Sequence, residues 1–255
     1  MWLRKLFCPV ALSLICFAAT GLLSACSKGN ENEEMLKKNI VGKWKMYSME
    51  GVLCLTDEKS VNEFFADGGY TYTTFKDNQW FCREKGSYSI SGDKLTISYA
   101  QNYSSQCQLS FKDGKAVVKQ TKFDIPGAAE VGIGEMERVT ADYSKAIFGL
   151  WEGVKLTGPE TFGAENHRWE YLEDGTYCYY SKNESGAWEA DSSNKENLFF
   201  VDGDLLCFRW VKDGVQYREW WEVDECDGER MVWKALREGN DGVRFETTME
   251  MKKVK

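Results

Sequence analysis

Apolar and polar residues alternate along much of this chain. In Leu205 to Val211 the residues Leu206, Phe208 and Trp210 alternate with Leu205, Cys207 and Arg209. From Val243 to Lys253, Val243, Phe245, Met249 and Met251 alternate with Arg244, Glu246, Glu250 and Lys252. A period of two puts successive side chains on opposite faces, so these segments read as half-buried strands. Asp-Gly occurs seven times, at Asp67, Asp113, Asp174, Asp202, Asp213, Asp227 and Asp241. Both residues tolerate positive φ, which favours tight hairpins. Strands of roughly six to ten residues joined by such turns predict antiparallel up-and-down sheets, and about eight strands suffice to close a barrel. No long amphipathic helix is expected. The Gly-rich stretch Ile125 to Gly134 reads as a loop, since it lacks the Lys-Ser/Thr of a phosphate cradle and the strand-to-helix setting of a dinucleotide site.

The pattern occurs twice. Ile40-Val41-Gly42-Lys43-Trp44 recurs as Ile147-Phe148-Gly149-Leu150-Trp151, and Asp67-Gly68-Gly69-Tyr70-Thr71-Tyr72 recurs as Asp174-Gly175-Thr176-Tyr177-Cys178-Tyr179, both 107 residues apart. Trp80 and Trp188 follow at nearly the same spacing. Ser91-Gly92-Asp93-Lys94-Leu95 and Asp202-Gly203-Asp204-Leu205-Leu206 come next, with a few residues inserted. Four landmarks in one order point to a duplication. The chain divides into units at 39–140 and 147–255.

Residues 1–25 read as an export signal: a basic start (Arg4, Lys5), an apolar run from Leu6 to Leu23, and a small-residue end. Leu23-Ser24-Ala25-Cys26 resembles a lipobox, which implies that Cys26 receives lipid and becomes the mature N-terminus. A plain secretory signal and a retained membrane anchor are the alternatives. Cleavage would leave 30 basic and 40 acidic residues, a charge of −10. Residues 26–38, with the polar run Ser27 to Glu34, read as a flexible tether. An acidic patch directly after the lipidated Cys resembles the surface-export signal of Bacteroidota lipoproteins. The expected location is therefore the outer membrane, facing the periplasm or the cell surface.

Gly42-x-Trp44 and Gly149-x-Trp151, each opening the first strand of an all-β unit, resemble the Gly-x-Trp signature of lipocalins. Together with the lipobox and about 100 residues per unit, the chain is similar to the lipocalin-like lipoproteins of Bacteroidota. The resemblance implies an all-β fold of two tandem antiparallel up-and-down lipocalin-like β-barrels behind a lipoprotein signal peptide. It also implies that Trp44 and Trp151 pack at the closed end of each barrel beneath a basic residue of the last strand. Arg138 is placed for this in the first unit, and Lys252 or Lys253 in the second. Gly42, Trp44, Gly149 and Trp151 are accordingly structural.

Composition narrows the chemistry. The chain has 255 residues, 32 Lys plus Arg against 40 Asp plus Glu, and one His, His167. An acidic balance argues against nucleic acid, which needs clustered cations. A single His removes His-based triads and poly-His metal sites, and His167 itself reads as solvated or hydrogen-bonded. The units differ: 39–140 holds 12 basic and 13 acidic residues with two Trp, while 147–255 holds 14, 23 and seven. In the second unit Trp169, Trp188, Trp210, Trp220, Trp221 and Trp233, with Tyr177, Tyr179 and Tyr217, are placed to line a cup for an apolar or sugar ligand. The candidate ligand-binding residues are Trp210, Trp221, Tyr217, Trp188, Tyr177, Tyr179 and Trp233. The competing reading is that large side chains fill small barrels. Trp220 and Trp221 point to opposite faces of one strand. Tyr217, Glu219, Trp221 and Val223 share a face, inner or outer.

Carboxylate pairs such as Glu219 with Glu222, or Asp224 with Glu225, are candidates for acid–base work on a glycosidic bond, the third reading being a glycan hydrolase, but among 40 acidic residues they read as solvated charge. The acidic turn from Asp224 to Glu229 lacks the spaced ligands of a calcium loop. Cys54, Cys82 and Cys107 in the first unit and Cys178, Cys207 and Cys226 in the second allow at most one internal bridge each, with the pairing open. No catalytic residue, metal or cofactor is expected. The leading expectation is a non-enzymatic, lipid-anchored module binding a small apolar or glycan ligand in the second barrel. The alternative is a structural or interaction lipoprotein with filled barrels and an exposed aromatic patch, offering its outer surface to other envelope proteins.

Overall fold

The computed structural model describes residues 31–56, 59–76, 79–100, 102–124, 132–159, 163–191 and 196–255, with backbone alone at 75–76, 79–84 and 123. The signal, Cys26 and the start of the tether lie outside the described residues. So do Trp80 and Cys82 as side chains and most of the Gly-rich loop.

The first sheet contains β1 (Gly42–Met49), β2 (Val52–Leu53), β3 (Val61–Phe64), β4 (Gly69–Lys76), β5 (Gln79–Ser91), β6 (Lys94–Tyr99), β7 (Ser104–Lys112), β8 (Lys115–Phe123) and β9 (Ile133–Arg138). All pairings are antiparallel between sequence neighbours except that β1 pairs with β3 and also with β9. That last pairing closes an eight-stranded ring from which the short β2 hangs. β5 is long enough to pair with β4 through its first half and with β6 through its second; Gly86 faces both Tyr70 and Tyr99. A side chain at Gly86 would meet the Ser98 carbonyl at 2.2 Å, so only glycine fits this corner.

The second sheet contains β10 (Gly149–Thr157), β11 (His167–Tyr171), β12 (Tyr177–Lys182), β13 (Trp188–Ala190), β14 (Leu198–Asp202), β15 (Leu205–Lys212), β16 (Val215–Cys226), β17 (Arg230–Glu238) and β18 (Arg244–Lys253). Its strand order runs from β13 through β12, β11, β10, β18, β17, β16 and β15 to β14. The two edges meet at the Thr176–Leu198 bridge, extended by Phe199 N–H to the Gly175 carbonyl at 2.8 Å. β13 and β14 together occupy the place that β5 holds in the first sheet.

The sequence landmarks fall on matching places. Trp44 pairs with Arg138 and Trp151 with Lys253. The register breaks between Met46 and Ser48 in β1 and between Gly153 and Lys155 in β10, again 107 residues apart. The separation grows to 111 residues by Ser91 and Asp202. Asp113-Gly114 and Asp213-Gly214 form the β7–β8 and β15–β16 hairpins with positive φ at both residues, the paired geometry that a two-residue turn needs to match strand twist.

The tether differs from expectation. Residues 31–40 form a helix, α1, whose Leu36 and Ile40 are buried in the first core beside Trp44, Leu95 and Leu109. Glu33 accepts a bond from Gly92 N–H at 2.7 Å and pairs with Lys37. A helix this short is not stable by itself; docking of two apolar residues one turn apart holds it.

The two domains share a buried seam. Trp220, Leu205 and Cys207 of the second pack with Val61 of the first, with Phe200 beside them. Lys45 bonds Asp204 at 3.0 Å and Glu222 at 2.9 Å, Lys59 bonds Glu222 at 2.7 Å, and Lys43 pairs with Asp202. Thr56 inserts its backbone between β16 and β17: Trp220 N–H donates to the Thr56 carbonyl and Thr56 N–H to the Leu236 carbonyl, both at 2.8 Å. β16 and β17 pair with each other only from Glu222 and Lys234 to Cys226 and Met231. Thr56 thus supplies backbone partners where these strands diverge.

Candidate functional site

Each domain is closed at one end by a Trp and a cation. Trp44 Nε1 donates to the Ile40 carbonyl at 2.7 Å and Trp151 Nε1 to the Ile147 carbonyl at 2.6 Å. The Arg138 guanidinium lies 4.4 Å from the Trp44 ring and Lys253 Nζ lies 5.1 Å from the Trp151 ring. Of the two lysines proposed for the second domain, Lys253 takes the role, while Lys252 pairs with Glu152.

At the opposite end of the second domain is a cavity of about 560 Å³. Alternation along β12 turns Tyr177 and Tyr179 inward, and alternation along β15 and β16 does the same for Phe208, Trp210, Glu219 and Trp221. Trp169, Asp191, Asn197, Lys212, Asp213 and Arg237 complete the lining. Asp191 follows β13 and Asn197 precedes β14, so the ends of these two strands contribute polar groups to the wall. Arg237 Nε and Nη2 grip Glu219 at 3.0 and 2.9 Å, and Trp221 Nε1 donates to the same carboxylate at 2.6 Å. Burial pushes the Tyr177 and Tyr179 hydroxyls up, so both are neutral. Tyr179 is hydrogen-bonded and stacked on His167, whose pKa burial lowers.

Four of the seven predicted residues, Tyr177, Tyr179, Trp210 and Trp221, line this cavity. Trp233 lies deeper in the core, beneath Trp221 and stacked on it with centroids 3.6 Å apart. Tyr217 stands at the rim, exposed, stacked on Trp210 at 5.5 Å. Trp188 is elsewhere: it sits under Arg168 at 4.0 Å and Lys182 at 4.8 Å, because the short β13 pairs only with the outer part of β12. The face shared by Tyr217, Glu219, Trp221 and Val223 is the inner one. Glu222 faces the seam, so Glu219 and Glu222 do not converge, and Asp224 and Glu225 are engaged by Lys234 and Arg230.

Sequence reasoning missed a second cavity. The first domain encloses about 570 Å³ lined by Met46, Tyr70, Tyr72, Tyr99, Cys107 and Met136 among others, and no described lining side chain carries a charge. Tyr70 donates to Asn62 Oδ1 at 2.6 Å. That bond fixes the amide so that its Nδ2, which has no partner, borders the cavity. Burial raises the Cys107 thiol and lifts Tyr99 to about 12. The Met and Tyr positions along β1, β4 and β9 were a usable signal, but the low Trp count drew attention away.

Cys107, Cys178, Cys207 and Cys226 are free thiols. The bridge allowed for the second domain is therefore not formed; its three cysteines sit on separate strands, β12, β15 and β16. Among the described residues no group of His, Cys, Asp and Glu is placed to hold a metal ion.

The fold and the two cavities define an antiparallel all-β protein with a closed eight-stranded barrel and a second curled sheet. The family profile described as the lipocalin-like domain matches residues 40–116, from the last residue of α1 into β8. This supports a lipocalin-like domain in the first half of the chain. No curated protein matches the sequence. Among solved structures, a protein of unknown function from the DUF3598 family of Nostoc punctiforme PCC 73102 is 10% identical, covers 86% of this chain and 98% of its own, and superposes with a TM-score of 0.25. A double mutant of the vaccine antigen transferrin binding protein B from Haemophilus parasuis is 7% identical, covers 78% and 54%, and has a TM-score of 0.24.

Proposed function

We propose that this chain is an exported, Cys26-lipidated protein of the outer membrane, built of two tandem lipocalin-like domains, that binds a small ligand in the aromatic cavity of the second domain without chemical turnover. The observation that carries the reading is the 560 Å³ space onto which Tyr177, Tyr179, Trp210 and Trp221 converge, a size and lining suited to a small molecule. The repeated Trp–cation closure and the repeated register break support the tandem relationship. The interaction-surface alternative relies on an exposed Trp at 220 or 221, yet both are buried.

Titration of the full chain with fatty acids, bile acids, haem and oligosaccharides, followed by Trp fluorescence, tests the reading. A saturable shift with one class, lost in Trp210→Ala, is the expected result. A folded protein giving no saturable response to any of them would remove it. Lipidation is checked separately by the mass of the mature N-terminus in wild type and Cys26→Ser.

A further inference from the structure

The two cavities are alike in volume and opposite in chemistry, and the difference selects a ligand class. We propose that the second cavity recognises a neutral saccharide, about two sugar rings in extent, through its aromatic faces and its Glu219–Arg237 pair. This rests on the ligand-binding reading above and adds the ligand's class.

The second lining carries Asp191, Asp213 and Glu219 together with Lys212 and Arg237. An alkyl chain seated there would strip water from charged groups and return no hydrogen bonds; the uncharged first cavity imposes no such penalty. A carboxylate ligand would face three acidic side chains, and a small cation would face Lys212 and Arg237. A ligand without net charge, able both to donate and to accept, meets neither repulsion.

Glu219 makes this specific. Arg237 and Trp221 Nε1 hold the carboxylate in one orientation, so remaining lone pairs are aimed in advance and little entropy is lost when a hydroxyl docks. Each carboxylate oxygen has two lone pairs and can accept more than one bond, a match for adjacent hydroxyls. Aromatic rings supply the other half. Trp210 and Tyr217 stack at the rim with planes 15° apart, while Trp221 on Trp233 forms a rigid two-ring floor. Flat, stiff faces take the apolar C–H side of a sugar ring at low entropic cost.

The experiment is calorimetric and fluorescence titration of the full chain with cellobiose, maltose, N,N′-diacetylchitobiose, myristate and choline. Wild type, Trp210→Ala, Tyr217→Ala and Glu219→Gln are compared after circular dichroism confirms folding. The exposed Tyr217 keeps one arm of the test independent of the core. A saturable response to at least one disaccharide, weakened at least about tenfold in Trp210→Ala and Glu219→Gln, is the expected result. Saturation by myristate or choline alone, abolished in Trp210→Ala, overturns the saccharide proposal and leaves the ligand-binding reading standing. Disaccharide binding that is indifferent to all three variants overturns the assignment to this cavity. No response to any probe from folded protein overturns both.

Discussion

Lys45 Nζ lies 2.9 Å from Glu222 Oε2 across the seam between the two domains, and the same ammonium reaches Asp204 at 3.0 Å. Burial pushes the Glu222 pKa up, but Lys59 and Lys45 outweigh it and bring the group down to about 2. A depressed carboxylate stabilises the fold above its unfolded value, near 4.5, and this contribution is lost as pH falls toward about 2. Asp204 acts in the opposite sense: burial raises its pKa in spite of Lys45, so acidification relieves a cost. Glu222→Gln is therefore expected to flatten the acid limb of the stability profile below pH 4.5, and Asp204→Asn to steepen it. Urea midpoints from pH 7 to pH 2 check this; parallel profiles for all three proteins would sink it. Lys45→Met, which leaves two buried carboxylates with less compensation, should cost about 3 kcal/mol at neutral pH.

The seam also sets cooperativity. Thr56 bonds both Trp220 and Leu236 through its backbone, and Trp220 is buried at 1% exposure with Val61 against it. Residues 147–255 alone would expose that Trp and leave β16 and β17 unbridged at one end. The full chain is expected to unfold in one calorimetric transition, and Val61→Asp to split it into two. Two transitions already present in the wild type would show that the domains are energetically separate.

The closed ends give a third expectation. Gly42 has φ 127°, and a Cβ there would stand 2.6 Å from Arg138 Nη1. Gly42→Ala thus combines backbone strain with displacement of the cation from Trp44, for a loss of about 2 kcal/mol. Trp44→Ala, which empties a fully buried site, should cost about 3–5 kcal/mol. Thermal melts of both variants decide it, and near-wild-type stability of Gly42→Ala would mean that the guanidinium simply moves aside.

How much of this was legible follows from the range of the interactions involved. Alternation and Asp-Gly turns are local, so the strands, the hairpins at Asp113 and Asp213 and the shared face of Tyr217, Glu219, Trp221 and Val223 could be read directly, but not which face of the strand turns inward. The repeat aligned Gly42 and Trp44 with Gly149 and Trp151, and the resemblance to lipocalins implied the place of Trp44 under Arg138. The seam was not legible. Lys43 and Lys45 look like solvated charge until they meet Asp202, Asp204 and Glu222 from more than 150 residues away. Helix α1 escaped notice because only Leu36 and Ile40 anchor it. Trp188 was misplaced since its strand is too short to carry the pattern of β12 onward. Whether a barrel is filled or hollow depends on side-chain volumes meeting across the interior, and periodicity along one strand does not report it.

The hollow first domain carries the last prediction. Cys107 borders its cavity, with Ser105 Oγ 3.6 Å from the sulfur, and burial holds the thiol above its ordinary pKa. Because the thiolate is the reactive form, labelling by the small neutral reagent methyl methanethiosulfonate should be slow at pH 7 and keep accelerating beyond the pH at which an exposed thiol levels off. The neutral apolar dye N-phenyl-1-naphthylamine suits this uncharged lining. Its binding should slow labelling of Cys107 by about fivefold or more, while the half-buried Cys178, on the outer face of the other domain, reacts at an unchanged rate. Peptide mapping after timed labelling gives both rates in one sample. Equal slowing at the two cysteines would indicate a general effect on the protein, and no slowing at either with dye bound would place the dye outside the first cavity.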